Sequence, residues 1–144
     1  MIETVVAFLA IVCLLLLLKL ATGPKILTVH VDGHWFTGIM DGLKTVEAIP
    51  GDFVAMTEIS GTKYIRFQNG NRRMLCKLLN VKMFHSLKEY VLSVGWQNCA
   101  PHARSYDHAI SEYLKITNPQ GISPYSSKRI EECGGLVALV FELV

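Results

Sequence analysis

The sequence predicts an α+β domain, mostly β with about three short helices, standing behind one N-terminal transmembrane helix. Three features carry that expectation. A leader, "VVAFLAIVCLLLLL", runs from Val5 to Leu18 without a charge. Two β-rich runs flank Asn69-Gly70, a dipeptide that favours a tight hairpin. Apolar residues at helical spacing follow two serines placed to cap, Ser86 and Ser105. With the leader set apart from the 144 residues, the remainder suffices for one core of ordinary size. The expected organisation is an anchor over residues 1–24 and one domain over residues 25–144.

The leader reads as a retained anchor. If Lys19 snorkels, the apolar span from Val5 reaches Ala21, roughly 26 Å of helix against a hydrocarbon core of about 30 Å. A cleaved signal peptide is the alternative, but such a peptide begins with a basic stretch and ends on small residues. Here Glu3 precedes the run and Lys19 stands just before Ala21. Glu3 on one side and Lys19 and Lys25 on the other place the C-terminal domain in the cytosol by the positive-inside bias. The expectation is a single-pass membrane protein with the lipid bilayer as partner of residues 5–21. Cysteine usage agrees: beyond Cys13, the set Cys76, Cys99 and Cys133 is odd and cannot all pair within one domain, so reduced thiols are expected.

The elements follow in order. "KILTVHV" is β-branched and reads as a first strand. "GHWFTGIMDG" places Trp35, Ile39 and Leu43, or Phe36, Ile39 and Met40, on one helical face, with Gly42 ending the helix. "KTVEAI" is a second strand and "IPGD" a turn. "KYIRFQ" and "RRMLCKLLNVKMF" form the hairpin. "SLKE" is a capping box that opens a helix with Leu87, Tyr90, Val91 and Val94 on its buried stripe. "WQNCAPHAR" is loop, and Ser105 caps a helix carrying Ala109, Ile110, Tyr113 and Leu114. "YSSKRIEE" is a polar turn before "LVALVFELV", a strand apolar on both faces and therefore central.

Three stretches in this order carry a resemblance: "GIMDGLKTVEA", "VKMFHSLKEYVLSVGWQNCAPHARSYDHAISEYLKI" and "PYSSKRIEECGGLVALVFEL". Together they resemble the ASCH family, small domains built on a PUA-like β-barrel, over about residues 26–143. The resemblance implies a small β-barrel with a pocket at its mouth, and the expected ligand there is RNA, a nucleotide or a nucleoside. It also implies that Lys44 and Glu47 border the pocket, with Gly42 and Thr45 beside them. Two departures stand out. The family pattern continues Glu-x-Arg, whereas this chain has Ala48-Ile49. Some members hydrolyse acetylated cytidine with a lysine and a threonine three positions later; Lys44 matches the lysine, but Glu47 occupies the nucleophile's position. Binding rather than turnover is therefore expected. A protein-interaction scaffold and a degenerate amidohydrolase are the alternatives. An anchor on so small a domain also points toward a virus or mobile element as source.

On a strand, Lys44 and Glu47 stand an odd number apart and would face opposite ways. Either the chain is still turning at Lys44, or only one of them reaches the mouth. A second charged feature lies between Glu58 and Glu89, where no acidic residue occurs and Lys63, Arg66, Arg72, Arg73, Lys77, Lys82 and Lys88 all fall. With Tyr64, Phe67 and Phe84 interleaved, this hairpin suits single-stranded nucleic acid. An anionic membrane surface and a solvated hairpin are the rival readings. No cofactor is expected. His30, Asp32 and His34 alternate and on a continuing strand would share one face with plausible ligand types, but Gly33 favours a turn there. Cys99, His102 and His108 lack a recognisable zinc spacing, so no metal is expected either.

Overall fold

Strand character concentrates in five segments, and all five join one sheet. The computed structural model describes residues 1–21, 24–52 and 57–144, the first of these without the side chains of residues 19–21. The elements are α1 (Ile2–Ala21), β1 (Lys25–His30), α2 (Gly33–Met40), β2 (Val46–Pro50), β3 (Thr62–Asn69), β4 (Arg72–Phe84), α3 (Leu87–Val94), α4 (Trp96–Cys99), α5 (Tyr106–Lys115), α6 (Ser127–Glu132) and β5 (Leu136–Leu143). The sheet order is β1-β3-β4-β5-β2, with β1 parallel to β3 and the other pairs antiparallel.

The strand β5 lies inside the sheet between β4 and β2, as its two apolar faces require. Its residues alternate between two cores. Leu136 and Ala138 pack with Trp35, Phe84, Tyr90, Tyr113 and Ile130 beneath the helices. Val137, Leu139 and Phe141 pack with Leu27, Ile39, Ile65 and Phe67 inside the curl of the sheet.

The PUA-like β-barrel expected from the resemblance is corrected to a half-barrel. Among the described residues β1 and β2 each pair on one side only, so the sheet is a curled five-stranded half-barrel. The reason lies in the connection. The chain passes from β1 to β2 through α2, whose Trp35, Phe36 and Ile39 are buried, rather than through a further strand that could pair with both edges. A helix satisfies its own backbone and offers no ladder to either edge.

The single-pass anchor, and with it a cytosolic C-terminal domain, is corrected as well. Among the described residues no helix is long and apolar enough to cross a membrane. The uncharged run Val5 to Leu18 has 14 residues, which is about 21 Å of helix against a hydrocarbon core of about 30 Å. Reaching further depended on Lys19, whose side chain lies outside the described residues. The helix α1 leaves Phe8 and Leu14 to Leu18 exposed.

Local chemistry explains the helix starts. Ser86 accepts from the Glu89 N–H (3.1 Å) while Glu89 reaches back to the His85 N–H (3.0 Å), a capping box displaced by one residue. Ser105 accepts from the His108 N–H at 3.1 Å. Two helices differ from the sequence reading. "WQNC" forms the single turn α4, and "SKRIEE" forms α6 because Ser126 caps it and Ile130 is buried beneath it. In the hairpin, Asn69 pairs with Arg72, so the two-residue turn is Gly70-Asn71. Gly70 takes φ +57° at the first turn position, where glycine carries no steric penalty.

Candidate functional site

Lys44 escapes strand alternation because the chain is still turning there. After α2, Gly42 adopts φ +75°. The Leu43 and Lys44 N–H groups then both donate to the Gly38 carbonyl at 3.0 Å. Thr45 is held through its backbone, its N–H donating to Asn98 O and its carbonyl accepting from Phe141 N–H. The strand β2 begins only at Val46. Lys44 and Glu47 therefore point into the same space, with Nζ and Oε1 3.4 Å apart.

That space is closed. Lys44 is 1 % exposed and Glu47 3 %. Lys44 Nζ donates to the Val46 carbonyl (2.9 Å), the Cys99 carbonyl and the Tyr113 hydroxyl (3.1 Å). Glu47 Oε1 accepts from the Ala48 N–H (2.8 Å) and from Tyr113 (3.0 Å). Tyr113 has one proton, and the carboxylate is its strongest acceptor. The 2.9 Å contact between Tyr90 and Tyr113 is then a donation from Tyr90. The ammonium also lies 4.3 Å from the Trp35 ring centroid, a cation–π contact. Trp35 Nε1 is buried without a hydrogen-bond partner among the described residues.

Burial lowers the Lys44 pKa from its ordinary value, and the adjacent Glu47 carboxylate opposes that fall. Burial likewise pushes the Tyr90, Tyr113 and Tyr125 phenols well above their usual range, with the Glu47 charge adding to each. Cys99 is raised by burial, with Lys44 opposing. The His102 imidazole is held low by burial and by its neighbour His34.

A cavity of about 350 Å³ opens beside the network, lined by His34, Thr37, Gly38, Asp41, Leu43, Pro101 and His102. Its wall meets the network's own backbone: the Gly38 carbonyl accepts from the Lys44 N–H at 3.0 Å. The His102 ring packs edge-on at 4.7 Å from Trp35, which itself lies against Lys44. A larger cavity of about 620 Å³ lies between α3, α5 and α6, with Leu87, Ile110, Leu114 and Ile130 in its walls. It is mainly apolar, and the Tyr125 hydroxyl beside it donates inward to Ala48 O at 2.7 Å. Lys88 and Glu131 stand at this larger cavity, while Asp41 and the imidazoles of His34 and His102 stand at the smaller one.

The basic hairpin residues divide by position. On β3, Tyr64, Arg66 and Gln68 alternate with buried Ile65 and Phe67, and their cross-strand partners are Lys77, Leu75 and Arg73. Arg66, Arg73 and Lys77 thus share one outer face with Tyr64. Lys63 falls at the bulge where Lys25 pairs with Thr62 and Ile26 with Tyr64. Arg72 turns away and lies 4.6 Å over the Phe36 ring of α2. Phe67 and Phe84 are buried, so neither is a stacking platform.

Sequence reasoning did not assign Trp35, Tyr90 and Tyr113 to the site. Tyr90 and Tyr113 were read as helix stripe, which they are; a hydroxyl on a buried stripe needs a buried partner, and that was the available signal.

No family model and no curated protein matches the chain. Two solved structures share its fold. The crystal structure of hypothetical protein PH0355 superposes with a TM-score of 0.62 at 19% identity, covering 83% of this chain and 99% of that one. The solution structure of protein PF0455 from Pyrococcus furiosus gives a TM-score of 0.55 at 18% identity, covering 83% and 97%. The half-barrel is compatible with a small ligand-binding module.

Proposed function

We propose that the chain is an ASCH-like binding module whose ligand is a nucleoside, free or within single-stranded RNA, taken into the cavity between α2 and the Pro101-His102 turn. The observation that carries this reading is the adjacency of that cavity to the buried Lys44–Glu47 pair: Gly38 in its wall accepts from the Lys44 N–H, and His102 in its wall packs on Trp35, which lies against the Lys44 ammonium. At about 350 Å³ the cavity sits at the small end of ligand sites. Imidazole faces from His34 and His102 suit a planar base, and Thr37 and Asp41 offer hydrogen-bond partners. In this reading Lys44 and Glu47 act from beside the cavity and fix the position of Trp35, while Gly42 and Thr45 hold the turn that places them. The outer hairpin face supplies Arg66, Arg73 and Lys77, with Lys63 and Arg72 at its ends, as phosphate contacts for the adjoining strand. Arg72 over Phe36 brings the hairpin against α2, which forms one wall of the cavity.

The test is a titration of the full chain carrying Trp96→Phe, which leaves Trp35 as its single indole. The four ribonucleosides and a short single-stranded RNA are added separately while indole fluorescence is followed. A saturable change is expected with at least one nucleoside, and it should weaken in Leu43→Phe, which narrows the cavity. Flat titrations with every probe overturn the reading.

A further inference from the structure

Three side chains from three elements meet beside Trp35. His34 is the second residue of α2, His102 lies in the turn between α4 and α5, and Glu112 is on α5. One ligating atom from each lies within 4.8 Å of the other two. We propose that His34, His102 and Glu112 bind one divalent transition-metal ion of the zinc class. This goes beyond the nucleoside reading and does not depend on it.

Donor chemistry selects the ion. Two imidazoles and a carboxylate suit zinc, cobalt, nickel or ferrous iron, whereas magnesium and calcium prefer all-oxygen sets. Distance is the next condition. An ion about 2.1 Å from each donor needs donors about 3.4 Å apart in a tetrahedral site. The 4.8 Å limit on the present separations is within reach of small side-chain rotations.

The donors are also oriented. His34 and His102 meet edge to face at 4.5 Å, and each ring packs on the buried Trp35, at 4.8 and 4.7 Å. Glu112 is held from its far side. The Arg104 N–H donates to His108 Nδ1 at 3.0 Å, so the His108 proton sits on Nε2 and is donated to Glu112 Oε1 at 3.1 Å. Lys115 Nζ donates to the same oxygen at 3.1 Å. That leaves Oε2 facing His102 Nε2 at 3.5 Å. Such outer contacts fix a metal-binding carboxylate and tune its affinity. His34 and His102 line the cavity and Glu112 does not, so the ion sits at the cavity's edge with an open position toward it.

The test uses the untagged full chain with no nucleoside present, so its failure and that of the nucleoside reading are separate results. Calorimetric titration with Zn²⁺ should show one equivalent bound, and Co²⁺ should give d–d absorption without a thiolate charge-transfer band. His34→Gln, His102→Gln and Glu112→Gln should each weaken Zn²⁺ at least tenfold, and His108→Gln by less. Circular dichroism checks that each variant is folded. In the unaltered chain Zn²⁺ should protect His34 and His102 from diethyl pyrocarbonate, a readout that needs no variant. Absence of stoichiometric uptake, uptake that survives all three substitutions, or a cobalt spectrum showing thiolate ligation overturns the proposal.

Discussion

The Lys44–Glu47 pair and the outer face of the β3–β4 hairpin use the same kinds of charge under opposite conditions. At the first, both ions are removed from water, and the solvent they lose is replaced by two carbonyls, a phenol, a backbone N–H and an indole face. At the second, Arg73 and Lys77 stand exposed and form no ion pair among the described residues, although Glu142 lies directly across from Lys77 on β5. Burying an ion costs several kcal/mol that only well-placed partners offset. An exposed cation carries no such cost, so its role depends on what approaches it. The difference teaches that the first charge pair is tied to the fold and the second is free to serve a partner.

Removing one member of the buried pair should have the largest effect. Lys44→Ala leaves the Glu47 charge facing Tyr113 and Ala48 alone, and Glu47→Ala leaves an uncompensated ammonium. Each should cost about 3–5 kcal/mol of stability. The double variant Lys44→Ala with Glu47→Ala should cost less than the sum of the two single losses, because neither ion is then left unpaired. Urea denaturation of the four proteins measures this. A loss below about 1 kcal/mol for Lys44→Ala would place the pair in solvent and erase the contrast with the hairpin.

Alkaline pH probes the same region without mutation. Tyr90, Tyr113 and Tyr125 have folded pKa values raised well above the ordinary 10.0, so the folded state keeps protons that the unfolded state releases. Their stabilisation is complete below pH 10 and is lost as pH rises above it, on the order of 1.4 kcal/mol per pH unit for each phenol. Cys76, raised by burial to about 11, acts in the same direction from its ordinary 9.0 upward. Lys44 acts oppositely: its lowered pKa makes stability rise with pH until the unfolded lysine titrates near 10.5. The expected profile is a steep fall above pH 10. Glu47→Gln, which removes the charge that adds to the effect of burial on all three phenols, should make the loss of stability above pH 10 shallower when each protein is compared with its own stability at pH 7.

Local rules read well from sequence where a segment decides its own geometry. The capping box at Ser86, the Ser105 cap, the extent of β4 and the central place of β5 all rest on neighbours in sequence or on two-sided apolar character. What failed depended on distant partners. Lys44 could be resolved as turn or strand only by knowing that Gly38 accepts its N–H. Closure of the barrel failed because β1 and β2 do not pair with each other, and nothing in either edge strand records that. The histidines were grouped by proximity in sequence, His34 with His30 and His102 with Cys99. The fold instead brings His34 and His102 together and adds Glu112 from the next helix. Length misled at the leader, where the reading depended on Lys19 extending an otherwise short run.

A smaller effect belongs to the cap. Ser86→Ala removes the acceptor of the Glu89 N–H at an exposed helix start, so it should cost about 1 kcal/mol, measurable as a lower urea midpoint with an unchanged slope. The loss should be independent of Lys44→Ala if the capping box is as local as its bonds.

The hairpin should respond least in stability and most in salt dependence. Arg73→Ala and Lys77→Ala should each change stability by no more than about 0.5 kcal/mol, since neither side chain is buried. Half-buried Arg66 loses some stem packing as well, so Arg66→Gln is the better probe there. If single-stranded RNA lies along this face, each substitution removes one phosphate contact and lowers the slope of log affinity against log salt by about 0.7. Free nucleosides carry no phosphate, so their affinity should stay the same in all three variants. Titrations of RNA and nucleoside at several salt concentrations therefore separate the two regions: a cavity substitution such as Leu43→Phe should weaken both ligands with the slope preserved. A hairpin variant that weakens the nucleoside, or leaves the RNA slope unchanged, would mean that the outer face is only a solvated surface and that the cavity works without it.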